Sequence, residues 1–396
     1  MNKETMLTRF VAALYCAMAM LMAGTALPTL AQPAPRNEQQ HIIRVGPARE
    51  IKTISAAAKQ VRDNGIVEVD TGDYTADVAV WDKNNITVRA VGGRVRLIAN
   101  GASAEGKAIW VVRSDKMQIE GFDFSGATVP SRNGAGVRFE KGWLVVRDCS
   151  FIGNENGILT SNNKESRLEI ENSEFGHNGF GDGQSHNLYA GEIASLSVMG
   201  SYFHHAKMGH LLKSRAAFND IRYNRLTDEA DGEASYELEF PAGGIAYVIG
   251  NLIQQSAGTN NPHLISYGAE GYKWPSNELY LIHNTLVDDR PQGGIFLRVS
   301  PGANLVRAEN NLLVGNAGDD LGGPGNTGTN FRASKNDFGQ APNAGYRLKA
   351  DSRLIGKAAP VTPAHGLDLS PRREFSAPRG TVTLLKKPKN PGALQN

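Results

Sequence analysis

The sequence predicts an all-β fold built as a single solenoid of short strands. A six-residue pattern occurs seven times, at intervals of 23 to 33 residues: an apolar residue, two variable positions, a small or amide residue, one variable position and an apolar residue. A period of this length is typical of solenoids, and the alternation of apolar and polar positions indicates strands. The repeats run from Val146 to Phe151, Ile170 to Phe175, Val198 to Phe203, Ile221 to Leu226, Val248 to Ile253, Leu281 to Leu286 and Ala308 to Leu313.

Asparagine occupies the small-residue position in the last four repeats, at Asn224, Asn251, Asn284 and Asn311. Because asparagine tolerates the left-handed backbone conformation, we expect it at the tight bend between two strands of one coil. If successive coils stack, the four side chains should form a ladder along the solenoid.

The two ends of the chain differ from the repeats. Residues 1–31 have the pattern of a secretory signal peptide, with an apolar run from Phe10 to Ala26. Residues 32–40 form a polar linker, the solenoid is expected over residues 41–376, and residues 377–396 are expected to be a flexible basic tail. A cleaved signal predicts a secreted or periplasmic protein with no stable membrane insertion.

One helix is predicted near the start of the solenoid. Ile54, Ala57, Ala58 and Val61 recur at helical spacing after a first short strand. A terminal coil would otherwise expose its apolar interior, so we expect this helix to cap the open N-terminal end.

The charge and cysteine content of the chain bear on its binding partners and on the interactions that stabilise its fold. The 42 Lys and Arg residues nearly balance the 40 Asp and Glu residues, and a net charge of +2 gives no electrostatic reason to expect a nucleic-acid partner. Cys16 lies in the expected signal, so Cys149 alone would remain and no internal disulfide could form. Core burial and hydrogen bonds between coils must then stabilise the fold.

These features resemble the right-handed parallel β-helix proteins of the pectate-lyase-like superfamily. The resemblance rests on the N-terminal strand and helix, the Gly72-Asp-Tyr74 segment, the asparagine ladder and the stretch from Tyr346 to Leu354, and it covers roughly residues 41 to 376. It implies a right-handed parallel β-helix with an N-terminal capping helix. The superfamily includes polysaccharide lyases, glycoside hydrolases, epimerases and non-catalytic periplasmic proteins, so the resemblance specifies architecture better than chemistry.

Polar residues gather on three consecutive strands that each open one coil. With Leu188, Leu212 and Leu238 facing inward, the two-residue period of a strand turns their neighbours onto one outer face. The residues expected on this face are Asn187, Tyr189, Leu211, Lys213, Arg215, Glu237 and Glu239. Adjacent coils lie about 4.8 Å apart, so side chains at equivalent positions should be near neighbours. Residues 183–244 are therefore the best candidate for a functional site.

The basic and aromatic residues of this face suit β-elimination on a uronic-acid-containing polysaccharide. That reaction needs a base for the C5 proton, a cation or metal at the carboxylate, and an acid for the leaving oxygen. Lys213 or Tyr189 is the expected base, and Arg215 is the expected electrostatic stabiliser. His186 or His210 is the expected proton donor.

A Ca²⁺ ion is a possible cofactor. Glu237 and Glu239 are expected to hold it, together with Asn187 or substrate oxygens. The arrangement is similar to that of the β-helical alginate and dermatan lyases, which use Lys and Arg with a Ca²⁺ held by Asn and two Glu. In those enzymes the lysine follows the glutamate pair, whereas Lys213 precedes Glu237 here. The side chains expected to contact the polysaccharide are those of Asn187, Tyr236, Tyr267 and Trp274.

Other interpretations of the same residues stay open. Lys213 beside Glu239 and Arg215 beside Glu237 also fit an ion-paired ladder on a solvated face. A carbohydrate-binding or periplasmic assembly protein without catalysis fits the scaffold, as does a glycoside hydrolase or an epimerase. The acidic run from Asp228 to Glu233 suits a hydrolase with paired carboxylates, but a simple acidic turn is favoured.

Histidines are concentrated in the same region, since seven of the nine fall between His177 and His283. His204, His205 and His283 lie at expected turns. They are predicted to be structural or solvent-exposed, because no compact His-x-His or His-x-x-x-His set accompanies them.

Overall fold

The computed structural model describes residues 41–318, 321–325, 328–339 and 345–395. The expected signal peptide and linker lie outside these residues. In the part of the chain that is described, no helix combines the length and the apolar character needed to cross a membrane.

The described chain is a parallel β-solenoid in which a coil contributes up to three strands. Strands of successive coils pair in parallel, in a nine-stranded and a twenty-stranded sheet. The nine-stranded sheet consists of Ala79–Trp81, Ala108–Val112, Ala135–Phe139, Asn156–Thr160, Leu188–Ala190, Leu212–Ser214, Leu238–Phe240, His263–Tyr267 and Ile295–Val299. The all-β fold class predicted from the repeats is confirmed.

The twenty-stranded sheet contains two stacks that share the long strands Ile66–Thr75 and Ile86–Ile98. The first stack adds Ile42–Val45, Lys116–Glu120, Trp143–Arg147, Arg167–Glu171, Ser195–Met199, Phe218–Arg222, Ile245–Ile249, Glu278–Ile282 and Leu305–Glu309. The second adds Phe122–Ser125, Ser150–Ile152, Glu174–Gly176, Tyr202–His204, Arg225–Thr227, Leu252–Gln255, Thr285–Asp288, Leu312–Gly315 and Phe331–Ala333. A 3₁₀ helix, Lys335–Asp337, follows the last of these strands.

The predicted inward ladder of the nine-stranded sheet is present. Leu188 pairs with Leu212, Leu212 with Leu238, and Leu238 with Ile265, and all four side chains are fully buried. Since successive side chains of a strand point to opposite faces, the residue after each of these leucines points outward.

An α-helix spans Ile54–Gln60 near the first strand. The Thr53 side chain accepts a hydrogen bond from the Ala56 N–H, and the Asp77 carboxylate accepts from the Ile54 and Ser55 N–H groups. These contacts satisfy backbone donors that have no partner within the helix. Ile54, Ala57 and Ala58 are buried in the main core. The role of this helix as an end cap stays a prediction.

The asparagine ladder forms as predicted. Asn224 Nδ2 donates to Asn251 Oδ1 at 3.0 Å, Asn251 donates to Asn284 at 3.0 Å, and Asn284 donates to Asn311 at 3.0 Å. The expected backbone conformation was wrong, because the left-handed residue precedes the asparagine. Tyr223, for example, has a φ of +56°. The asparagine side chain therefore stabilises the bend by bonding the next coil, with the backbone strain placed one residue earlier.

Aromatic side chains fill part of the interior in a second ladder. Phe124, Phe151, Phe175 and Phe203 stack with ring centroids 4.8, 4.7 and 4.6 Å apart. Each stacked pair contributes about 0.5–1.5 kcal/mol beyond the burial of its area. Three of the four rings occupy the last apolar position of a repeat, so the repeat encodes the coil spacing directly.

The C-terminal segment differs from the flexible tail expected over residues 377–396. Arg373–Phe375 and Thr381–Thr383 form an antiparallel hairpin, and the chain then returns to the solenoid. The Ala393 N–H donates to Thr285 Oγ1 at 3.0 Å, and the Gly392 N–H donates to Asn310 O at 2.8 Å. Composition alone missed this, because the lysines stay exposed while the small residues near the end pack on the body.

Candidate functional site

The outer face of the nine-stranded sheet carries one continuous row of paired residues. Leu159 pairs with Tyr189, Tyr189 with Lys213, and Lys213 with Glu239, so the structure brings the predicted row together. Arg138, which pairs with Leu159, extends the row toward the N-terminus. Chain segments far apart in sequence thus place two cations, a phenol and a carboxylate along one line.

Lys213 lies between two carboxylates. Its Nζ is 3.2 Å from Glu239 Oε2 and 3.4 Å from Glu270 Oε1, and its side chain is only 13% exposed. The Lys213 amine is therefore flanked by a carboxylate from the next coil and by one from a loop.

Arg215 joins the face to the loop that contains Glu270. Its Nε and Nη2 donate to the two oxygens of Glu270, with 2.7 Å between Nε and Oε2, and its Nη1 donates to the Tyr189 hydroxyl. Trp274, from the same loop, donates its indole N–H to Arg215 O at 3.0 Å. The ion pair expected between Arg215 and Glu237 is wrong, because the guanidinium fork is engaged by Glu270.

His186, His210, Tyr236 and His263 form a ladder of rings at or just before the start of successive strands. Ring centroids are 4.4 Å apart for His186 and His210, and 4.9 Å apart for His210 and Tyr236. His186 Nδ1 accepts the His210 backbone N–H at 3.0 Å, so the other ring nitrogen of neutral His186 carries the proton. His210 Nε2 lies 3.0 Å from Glu239 Oε2 and connects this ladder to the row.

Burial controls the charge of these two imidazoles. It lowers the pKa of His186 well below its ordinary value, and the neighbouring cationic groups lower that pKa further. For His210, burial lowers the pKa and outweighs the opposing hydrogen bond to Glu239. Both rings are therefore neutral at neutral pH. The role of either ring as proton donor stays a prediction.

Two predicted substrate contacts are buried and belong to the interior. Asn187 donates its Nδ2 to His204 O at 2.8 Å and accepts from Asn178 Nδ2 at 2.8 Å, in a second asparagine ladder. Tyr267 is fully buried and donates its hydroxyl to Gly244 O at 2.6 Å. Tyr236 and Trp274 remain partly exposed. The chain bends just before Leu188, so the alternation of the strand does not extend back to Asn187.

Glu237 and Glu239 do not form the predicted Ca²⁺ site. Glu239 points outward to Lys213 and His210, while Glu237 is fully buried and neither of its oxygens has a hydrogen-bond partner among the described residues. Burial, followed by the charges of Asp228 and Asp288, raises the pKa of Glu237 well above its ordinary value. Leu211, the equivalent of Glu237 in the preceding coil, also lies in the core. The residues present do not fit the expected metal site.

A groove of about 530 Å³ adjoins the row at Tyr189, with Arg138 and Leu159 in its floor. Its walls include Arg132 and residues of the loop that carries Phe180, and the Arg132 guanidinium lies 4.4 Å from the centre of the Phe180 ring. A larger cavity of about 630 Å³, lined by Asp289, Arg332 and Lys335 among others, contains none of the predicted site residues.

Arg138 is the functional candidate that sequence reasoning missed. Burial lowers the pKa of its guanidinium, and its Nε has no hydrogen-bond partner among the described residues. A partly buried donor without a partner at the bottom of a groove favours an anionic ligand. The signal was present, because Val137 faces inward and its neighbour must face outward.

The fold of this chain is similar to that of several solved structures. The crystal structure of pectate lyase Pel9A aligns with a TM-score of 0.57 and 16% identity, over 90% of this chain and 96% of the other. The chain is a right-handed parallel β-helix. ORF18 of Geobacillus virus E2 aligns at a TM-score of 0.47, with 16% identity, over 68% of this β-helix and 53% of that chain.

A pectin methylesterase mutant in complex with a hexasaccharide aligns at a TM-score of 0.30, with 10% identity, over 81% of this β-helix and 98% of that chain. Neither protein-family models nor curated protein sequences gave a match.

Proposed function

We propose that this β-helix cleaves an acidic, uronic-acid-containing polysaccharide by β-elimination on the outer face of the nine-stranded sheet. The observation that carries the proposal is the hydrogen bond from Arg215 to the Tyr189 hydroxyl, beside the Lys213 ammonium and next to the groove. A base, two cations and an open groove meet there. These are the parts that removal of a proton beside a carboxylate requires.

In this mechanism the ionised Tyr189 oxygen is the base. It takes the C5 proton of a uronate, the electrons of the C5–H bond form the C4–C5 double bond, and the C4–O bond breaks. The Tyr189 hydroxyl then gives its proton to the leaving oxygen, so no imidazolium is needed. Lys213 and Arg215 stabilise the charge that develops on the carboxylate. Arg138 binds the carboxylate of a sugar further along the groove.

The charge state of the acids on this face disfavours a glycoside hydrolase. A hydrolase needs one carboxyl group that stays protonated to act as the general acid. The hydrogen bond from Arg215 lowers the pKa of Glu270. Burial raises the pKa of Glu239, but the hydrogen bonds and charges of His210 and Lys213 outweigh it, so this pKa is lowered too. Asp228, whose pKa is raised to about 7, is buried away from this face.

A carbohydrate-binding protein without catalysis is the second candidate. It is favoured by the fact that Lys213 and Arg215 are already paired with Glu239 and Glu270, as in an ion-paired ladder. In either case the partner is a polysaccharide, with Tyr236 and Trp274 stacking on sugar rings at the edges of the face. The apolar segment from Phe10 to Ala26 supports a secreted or periplasmic location.

A glycan screen separates these functions. The purified protein is incubated with alginate, pectate, glycosaminoglycans and bacterial exopolysaccharides, while ultraviolet absorbance and reducing ends are followed together. Lyase action produces both signals, because each cut creates an unsaturated uronate and a reducing end. Reducing ends alone indicate a hydrolase, and glycan binding without either signal indicates the non-catalytic alternative.

A further inference from the structure

Three histidines from two coils meet on the outside of the second stack of the twenty-stranded sheet. Gly176 pairs with His204, which places His177 and His205 at equivalent positions of adjacent coils. One ring nitrogen from each of His177, His204 and His205 lies within 4.8 Å of the other two. The spacing of histidines in the sequence does not predict this cluster, because His177 and His204 lie 27 positions apart.

The hydrogen bonds around His204 and His205 define which nitrogens face each other. His204 Nε2 lies 3.3 Å from Glu174 Oε1, and His205 Nε2 lies 3.0 Å from Asp231 Oδ1. An ionised carboxylate only accepts, so each Nε2 carries the proton and each Nδ1 of a neutral ring presents a lone pair. The two Nδ1 atoms are 2.7 Å apart. Two lone pairs at this distance require a proton or a cation between them.

His177 completes the set on the side that faces solvent. Its ring stacks on that of His205 with centroids 4.6 Å apart, and it meets the edge of the His204 ring at 5.2 Å. The His177 side chain is exposed, whereas His204 is buried. A cation held by the three rings would therefore keep one coordination position open to water.

The backbone is arranged to bring these rings together. His177 and His205 both adopt the left-handed conformation, with φ of +54° and +47°, which is uncommon outside glycine. A Cβ atom at Gly176 would collide with the His204 ring, so the ring occupies space that only glycine leaves free. The same left-handed conformation recurs at the equivalent positions Gly126 and Gly153, so regular coil geometry sets the two rings side by side.

We propose that His177, His204 and His205 bind one divalent transition-metal ion of the Zn²⁺ class through three imidazole nitrogens. Neutral imidazole suits Zn²⁺, Ni²⁺ and Cu²⁺, and Glu174 and Asp231 occupy the positions of the carboxylates that usually orient such ligands. Bond lengths of about 2.0–2.1 Å require the His204 and His205 nitrogens to separate by roughly half an ångström. This site is independent of the proposed glycan face.

Direct metal titration of the full chain, prepared without a polyhistidine tag and stripped with chelator, tests the proposal. Zn²⁺ is added in competition with a chromophoric chelator, and X-ray absorption of the loaded protein counts its nitrogen ligands. We expect one Zn²⁺ per chain with three imidazole ligands. His177→Ala should weaken the affinity more than about tenfold, and Asp231→Asn should weaken it by about tenfold.

Asp231 is 87% exposed, so its variant should keep the fold and report on the ring orientation alone. His365→Ala, which removes an exposed histidine bonded to Glu278, is the matched control and should bind like wild type. Zn²⁺ binding that is absent, or that is equal in wild type, His177→Ala and Asp231→Asn, would overturn the proposal. A shared proton between His204 and His205 would then account for their contact.

Discussion

Arg215 donates one N–H to the Tyr189 hydroxyl while its other donors hold Glu270, which lies 55 residues further along the chain. The guanidinium is thereby fixed over the Tyr189 ring, 5.0 Å from its centre. A fixed cation at a phenol oxygen stabilises negative charge that forms on that oxygen. This relationship, more than any single residue, supports a base at position 189.

Replacing Tyr189 with Phe removes the hydroxyl oxygen and keeps the aromatic ring. We expect turnover on the active glycan to fall by about 10²–10⁴-fold, the usual contribution of a positioned acid or base. The free energy of unfolding should change by less than about 1 kcal/mol, because the side chain lies on the outer face. Tyr280→Phe makes the same chemical change on another side of the solenoid and is the control. Full turnover by Tyr189→Phe would remove Tyr189 from the mechanism.

Lys213 and Glu239 should be strongly coupled in stability. Lys213→Met leaves Glu239, with a side chain only 6% exposed, paired to His210 alone. Loss of one partner from a buried pair costs about 3–5 kcal/mol, and the double variant Lys213→Met/Glu239→Gln should lose less than the sum of the single changes. Urea unfolding of the four proteins measures the coupling. Additive effects below about 1 kcal/mol would instead support the solvated ladder.

The asparagine ladder should be a major source of stability. Asn251 is fully buried, donates to Ile221 O at 2.8 Å and accepts from the Asn224 N–H at 2.9 Å. Asn251→Ala leaves several buried partners without a bond and should cost about 3 kcal/mol. Asn251→Ser should cost less, because Ser173 and Ser201 fill equivalent positions and accept a backbone N–H of the preceding coil through Oγ. Thermal unfolding of the two variants gives the order, and equal melting temperatures would contradict it.

Glu237 should make the fold less stable as the pH rises. Burial raises its pKa in the folded protein above the ordinary value of 4.5, so the folded chain holds this proton more tightly than the unfolded chain. Its stabilising contribution is complete below pH 4.5 and is lost as the pH rises toward the folded pKa, by about 1.4 kcal/mol per pH unit.

Denaturant unfolding of wild type and Glu237→Gln across this pH range measures the effect. The variant should show a shallower fall in the free energy of unfolding, because the amide does not titrate. Asp228 and Asp288, which face Glu237, remain in both proteins and cancel in the comparison. Parallel curves would mean that Glu237 is not protonated in the folded state.

The sequence predicted the strands well, because a two-residue period has physical meaning wherever the chain is extended. Leu188, Leu212 and Leu238 face inward as expected, and Tyr189 and Lys213 face outward. At the corners that period fails. Asn187 and Glu237 immediately precede strands, and the bend of the backbone turns both side chains into the interior.

The sequence pattern also could not predict contacts across loops or between coils. Nothing in the spacing links Glu270 to Arg215, because the loop could have extended into solvent instead of folding onto the face. Likewise, His177 meets His205 only because the intervening chain completes one coil. Such contacts depend on loop length and register, which a single sequence does not specify.

The mass of the cleavage products tests the central claim most directly. A uronic-acid polysaccharide that the protein binds or cleaves in the glycan screen is incubated with wild-type protein, and the products are analysed by mass spectrometry. We predict products whose new non-reducing ends lack one water molecule relative to hydrolysis products, because β-elimination adds no water. Products that carry the added water, or a chain that stays intact while it binds the protein, would contradict the account.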